Sequence, residues 1–202
     1  MAEVHGAEVD ELVAGATAYV SCRFPGAALE GADLTRLTFE GCAFEAANLR
    51  NARFHDTRLT DCTFVGCDLL GVDLTVLDWP QFGLADPPAF VDCRMDHVDA
   101  HGLALDGIVL YGCALVEADL EGSALRGADL RHADLTGTRL SGTDLSEADL
   151  TGAVGYDLHP ERTTTTGARV SLPEGAAILR ALGLVVTSSE DRMSAVERLA
   201  DR

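Results

Sequence analysis

The chain of 202 residues contains no lysine, and all 15 of its basic residues are arginine. Thirty-three acidic residues oppose them, a formal charge of −18 on 21.3 kDa. That balance argues against nucleic acid or anionic lipid as a ligand, and for a basic partner surface or simply for solubility. Aromatics make up only 5%, which suits a narrow interior filled by Leu, Phe and Ala. No apolar run approaches the roughly 18 residues of a membrane span. The N-terminus, M-A-E-V-H-G-A-E-V-D-E, is acidic and lacks the basic-then-apolar order of a signal peptide, so the cytoplasm is the expected compartment. There is no C-x-x-C pair. The six cysteines, Cys22, Cys42, Cys62, Cys67, Cys93 and Cys113, each stand where alanine stands in other repeats, and read as reduced core thiols rather than disulfides or metal ligands.

Catalytic signatures are missing too. No nucleophile elbow surrounds a serine, and no Gly-rich phosphate loop follows a strand. His97 and His101 in H-V-D-A-H are four apart but lack the glutamate of a zinc-protease helix, and His55, His132 and His159 have no paired ligand. Rows of solvated carboxylates do not make an acid and a base, which need unlike environments. The expectation is therefore no enzyme, no cofactor and no metal.

What the chain does have is a period. From Leu120 to Leu150 leucine returns every fifth residue, at Leu120, Leu125, Leu130, Leu135, Leu140, Leu145 and Leu150. Two places before each stands a small residue, such as Ala118, Ser123 or Ala128, and aspartate often lies between. On a helix, steps of five rotate by about 140° and build no face; on a flat strand they alternate sides. All these leucines point inward only if the backbone turns a corner every five residues, as in a solenoid. Cys22, Cys42 and Cys62 recur at 20, as do Phe24, Phe44 and Phe64, so four repeats make one coil of square section. The period of six of hexapeptide β-helices, often acyltransferases, is absent.

The repeat divides the chain. Residues 1–21 read as a cap or degraded first coil, with Val4, Val9, Ala14 and Tyr19 loosely in step. Residues 22–79 form an N-terminal lobe ending at Trp79. Residues 80–89, with Pro80, Pro87 and Pro88 unable to donate backbone hydrogen bonds, form a junction loop. Residues 90–153 form a second lobe, one residue out of phase. Residues 154–186 are a C-terminal cap with a helix over 172–182, opened by a Ser171/Glu174 capping box and closed by Gly183; Leu184–Val186 reads as a short strand and 187–202 as a polar tail. The helix stripe of Leu172, Ala176, Ile178, Leu179 and Leu182 covers the open coil end and is wide enough to pair two copies.

These residues, quoted as A-D-L-T-R, A-N-L-R-N, A-D-L-E-G, A-D-L-R-H and A-D-L-T-G, resemble the pentapeptide repeat proteins over about residues 22 to 153. The resemblance implies an all-β solenoid, a right-handed quadrilateral β-helix with about four repeats per coil and a C-terminal capping and dimerisation helix. The layout is similar to the Qnr-type quinolone-resistance, mycobacterial MfpA-type and albicidin-resistance members: an N-terminal lobe, a junction near L-L-G-V-D-L-T-V-L-D-W-P, a longer second lobe, and an end like R-V-S-L-P-E-G-A-A-I-L-R-A-L-G-L-V-V. That likeness implies a homodimer that imitates DNA, binds DNA gyrase or topoisomerase IV, and protects it from an antibiotic or toxin. Unlike Qnr members, the chain has no obvious long loop other than 80–89.

Residues 22 to 153 carry 22 acids and 9 arginines, net −13. Over about 6.6 coils and roughly 32 Å this is one net charge per ~2.4 Å, against ~1.7 Å in duplex DNA. Asp119, Asp129, Asp134, Asp144 and Asp149 are the expected partner-binding acidic face. Aspartate also suits tight corners and solubility whatever the function, so an acidic scaffold that binds some other protein is the alternative reading.

Overall fold

A computed structural model describes the chain except for residues 1, 7–11, 13, 80–86, 160, 173, 182 and 187–202. Each five-residue step forms one wall of a four-walled solenoid of about seven coils. Phe24, Phe44, Phe64, Phe90 and Leu110 are direct parallel partners on one wall, and Leu130, Leu150 and Val170 continue the column. The hydrogen bonds run along the rod: Leu130 N–H donates to Asp149 C=O at 2.9 Å in the next coil, and Asp149 N–H donates back to Ala128 C=O at 2.9 Å. Every centre from Tyr19 to Leu150 that the structure describes is buried save the half-buried Trp79, and together they form a single apolar column.

The corners explain the remaining repeat positions. After a leucine centre the chain makes a hydrogen-bonded turn, as from Ala128 N–H to Leu125 C=O (3.1 Å), with Gly127 at φ 64°. A positive φ at that place is what a type II turn requires, hence the recurring glycine. Some corners impose it on side-chain-bearing residues, such as Arg36 (φ 60°), His132 (60°) and Glu147 (63°).

Where the inward residue two places before a centre is Cys, Ser or Thr, its side chain bonds the preceding coil. The Cys42 thiol donates to Tyr19 C=O (3.3 Å) and the Cys93 thiol to Phe64 C=O (3.3 Å). Thr57, Ser123, Thr138, Thr143 and Thr163 hydroxyls make the equivalent bond, for example Thr143 to Leu120 C=O at 2.8 Å. All six cysteines are free and buried. The neighbouring thiol of an adjacent coil, together with burial, pushes the Cys62, Cys67 and Cys113 thiols up from their ordinary range, so these are inert packing groups.

Three boundaries differ from the sequence expectation. First, the two repeat segments are one stack. Phe64 pairs with Phe90 and Asp68 with Arg94, a step of 26 in place of 20, and the ladders of these walls run on across the longer step. Second, strand Ala2–His5 pairs with Ala16–Val20 in the register Val4 to Tyr19, a step of 15, so the first coil lacks one wall. Third, the coil does not stop at Ala153. Val154, Thr164 and the strand Arg169–Val170 continue the ladders, with Tyr156, Leu158 and Thr163 buried inside.

The terminal helix is also shorter than expected, Ala176–Ala181. Strand pairing holds the chain to the coil through Val170. The Ser171 hydroxyl, in place of capping a helix, accepts from Gly152 N–H (3.0 Å) and meets the Glu174 carboxylate (3.0 Å). The helix closes in a Schellman motif: Gly183, at φ 78°, donates to Arg180 C=O (2.9 Å) and Leu184 to Leu179 C=O (3.0 Å). Leu184 to Val186 form no strand. Among the described residues no helix is long and apolar enough to cross a membrane.

Candidate partner-binding surface

Four walls run the length of the rod. The first is centred on Tyr19, Phe39, Leu59, Leu105, Leu125 and Leu145; the second on the phenylalanine column of Phe24; the third on Leu29, Leu49, Leu69, Met95, Leu115 and Leu135; the fourth on Leu34, Phe54, Leu74, Ala100, Leu120 and Leu140. Successive repeats therefore turn through a quarter circle. The five aspartates expected on one acidic face do not share one: Asp144 lies on the first wall, Asp129 and Asp149 on the second, Asp134 on the third and Asp119 on the fourth.

Nor do they stand fully in water. The side chains of Asp119, Asp129 and Asp149 are 21–24% exposed. Each of the five accepts the amide N–H two residues on: Glu121 to Asp119, Arg131 to Asp129, Thr136 to Asp134, Ser146 to Asp144 and Thr151 to Asp149, at 3.0–3.2 Å. These are Asx turns, which satisfy a corner amide that the inter-coil ladder leaves over. Three of the five also hold arginine: Asp129 with Arg131 (2.6 Å), Asp119 with Arg139 (2.6 Å) and Asp149 with Arg169 (3.5 Å).

This bonding lowers several carboxyls. Asp129 is lowered chiefly by Arg131, Asp144 by the Ser146 hydroxyl and Asp149 by the Thr151 hydroxyl. Asp33 falls to about 2 through Thr35. A carboxyl depressed on folding stabilises above its unfolded value and loses that contribution as pH falls through the folded one. The melting temperature should accordingly hold from neutral pH to about 5 and drop between about pH 4 and 2; a scanning-calorimetry series flat to pH 2 would contradict the Asx-turn account.

The described residues bring one metal-ligating set together. Ligand atoms of Asp99, His101 and Asp119 lie within 4.8 Å of one another, in a depression of about 260 Å³ that Glu121 and Arg139 also line. His101 Nδ1 meets Asp99 at 2.6 Å, and that carboxylate raises the imidazole pKa. The Arg139 guanidinium already sits on Asp119 and Glu121, so its cation occupies the charge. His97 turns away to Glu117 at 3.5 Å and does not pair with His101.

Trp79 is half-buried against the core and donates Nε1–H to Leu74 C=O at 2.8 Å. Pro88 is buried and Pro87 half-buried beside the strand Ala89–Val91, while Pro80 lies outside the described residues. Of the five residues expected to pair two copies, Ala176 is buried and Ile178 packs on the rod's own core, Leu182 lies outside the described residues, and Leu172 (75% exposed) and Leu179 (38%) face outward. Leu184 (55%) and Val185 (87%), which the sequence reading assigned to a strand, enlarge this exposed apolar end.

Family models described as pentapeptide repeats match residues 19–67 (9 copies) and 113–152 (8 copies). Two solved structures of QnrB1, described as a plasmid-mediated fluoroquinolone resistance protein and both trypsin-treated single-substitution variants, share the fold. Each aligns at TM-score 0.64 and 16% identity over 92% of this chain and 97% or 99% of its own. A search of curated proteins found no match.

Proposed function

Because the chain is a pentapeptide repeat protein, a rod acidic on every side, we propose that it acts without catalysis, in the cytoplasm, by occupying the DNA-binding surface of a type II topoisomerase. The target is DNA gyrase or topoisomerase IV, and the benefit is protection from an antibiotic or toxin, as acquired resistance or self-immunity. The observation that carries this reading is linear charge density. Residues 22 to 153 carry net −13. Without the six residues inserted between Phe64 and Phe90, they make about 6.3 coils, roughly 30 Å long, with one net charge per ~2.3 Å against ~1.7 Å along duplex DNA. Placing the aspartates on all four walls supports the likeness, since a duplex also presents phosphates around its circumference.

The test is gyrase supercoiling with purified protein, with and without fluoroquinolone. Inhibition of supercoiling at micromolar protein, and fewer drug-trapped cleavage complexes, are the expected results. No inhibition, no binding and no rescue would leave the alternative, an acidic scaffold for another protein. One observation favours that alternative: the Asx turns give the aspartates a structural duty that any such rod needs.

Two copies joined end to end through Leu172, Leu179, Leu184 and Val185 would double the length of the acidic rod and cover an apolar end exposed in the single chain. Leu179→Asp puts a charge in that contact without touching the coil. Light scattering should then report a monomer; a dimer that persists would refute this interface.

A further inference from the structure

The outer surface of the rod carries charge on nearly every coil of every wall, with one break. On the second wall Thr63 and Val65 flank Phe64, Ala89 and Val91 flank Phe90, and Val109 and Tyr111 flank Leu110. Three consecutive coils, paired in register, thus present five apolar side chains and one threonine. Among the described residues no other wall has three successive coils without an outward charge. Val65 is 44% exposed, and Val91, Val109 and Tyr111 are half-buried. The Arg131 guanidinium stands 5.3 Å from the Tyr111 ring centroid and the His132 ring meets its edge at 5.5 Å, so that ring is held in place before any partner arrives. Carboxylates border the strip. Glu45 continues the row of Val65 at one end, Asp129 continues the row of Val109 at the other, and Asp61 and Asp92 stand at its corners. Arg23 holds Glu45 and Arg131 holds Asp129, whereas Asp61 and Asp92 meet no arginine among the described residues.

We infer that this strip is the dry centre of a protein contact, and that the partner brings an apolar strip of its own bordered by arginine or lysine. The inference goes beyond the topoisomerase reading and applies to whichever protein the rod binds. Three coils at about 4.8 Å each make a strip about 14 Å long, well short of the ~800 Å² per partner of a stable interface. The charged rows around it must therefore join the contact, which gives the usual order of an apolar core inside a polar rim. That rim selects the partner. A second copy of the chain would set Glu45, Asp61, Asp92 and Asp129 against carboxylates of its own, whereas a basic border complements them. The centre adds attraction that salt does not screen, unlike the rest of this acidic surface.

The test compares two fluorescent peptides of equal charge, Arg-Arg-Leu-Phe-Leu-Arg-Arg and Arg-Arg-Gly-Ser-Gly-Arg-Arg, by anisotropy at about 0.15 M salt. Wild-type protein should bind the first about fivefold more tightly than the second. A triple variant, Val65→Thr with Val91→Thr and Tyr111→Thr, removes most of the apolar surface and no charge. Threonine suits a strand, and Thr151 already stands two coils beyond Tyr111 in the same row. With its fold established by circular dichroism, this variant should bind the two peptides alike. No preference in the wild type, or a preference kept in the variant, would overturn the inference. Val65→Asp alone, at an exposed position, is the second variant. It should strengthen binding of the glycine-centred peptide and weaken that of the leucine-centred one; strengthening of both would mean that the site reads charge alone and would overturn the inference. Light scattering decides against the other occupant: a wild-type dimer that the triple variant loses would mean that a second copy covers the strip, and the partner named here would be wrong.

Discussion

Phe44→Ala should lower the unfolding free energy by about 3–5 kcal/mol, the usual range for a fully buried phenylalanine. Phe44 is 1% exposed and lies between Phe24 and Phe64, with ring centroids at 4.4 and 4.6 Å and planes within 9° and 3° of parallel. Phe39 meets its edge at 5.5 Å. The truncation therefore removes contacts to both neighbouring coils at once, each stacked pair being worth roughly 0.5–1.5 kcal/mol beyond area. A solenoid has no remote tertiary contact with which to make up the loss, because each coil touches only its neighbours. Phe44→Leu should cost much less, since Leu110, Leu130 and Leu150 occupy the same column further along. Urea unfolding followed by far-UV circular dichroism is the measurement. An alanine variant within about 1 kcal/mol of wild type would mean that the interior is not packed this way.

Leu130→Lys should be as damaging, for a different reason. Leu130 is 0% exposed, walled by its own column and by centres of the other three walls. No acidic side chain is buried anywhere among the described residues, so the ammonium would have no partner, and a charge buried alone costs several kcal/mol. Lysine at Asp129, one residue earlier and on the outside, is the control for composition. Loss of the folded signal with Leu130→Lys but not with Asp129→Lys is the expected outcome; equal behaviour would mean that the inward register is misplaced.

The sequence revealed the coil because its two constraints, a large apolar centre and a small inward neighbour, repeat at fixed distances. The centres from Phe24 to Leu150 are core residues apart from the half-buried Trp79, and among them 20 is the step between coils everywhere but between Phe64 and Phe90. Past Ala153 the signal fades. Tyr156, Leu158 and Thr163 still fill the interior, but leucine no longer stands at every wall centre, and backbone pairing rather than pattern carries the coil on to Val170. The capping box at Ser171 has the right letters, yet its hydroxyl is taken by Gly152 of the last full coil, a long-range contact that no local motif announces.

The acidic face was misjudged for a reason that the period itself contains. Asp129 and Asp134 are adjacent repeats and so lie on adjacent walls; from Phe90 onward the residues that stack are a multiple of 20 apart, like Asp129 and Asp149. Counting in twenties would have sorted the carboxylates by wall. Which of them hold an arginine depends on side-chain reach across coils, as when Arg139 bridges back to Asp119, and no spacing encodes that.

The step of 26 between Phe64 and Phe90 shows that the architecture tolerates added chain: the ladders through Phe64 and Phe90, Asp68 and Arg94, and Asp73 and Asp99 stay paired across six residues more than a coil needs. A block of twenty residues duplicated within Leu105–Leu145 should therefore lengthen the rod by about 4.8 Å and leave every other coil as it was. The protein is in this sense a ruler with a unit mark, and the length of whatever it measures could be read by adding or deleting marks one at a time.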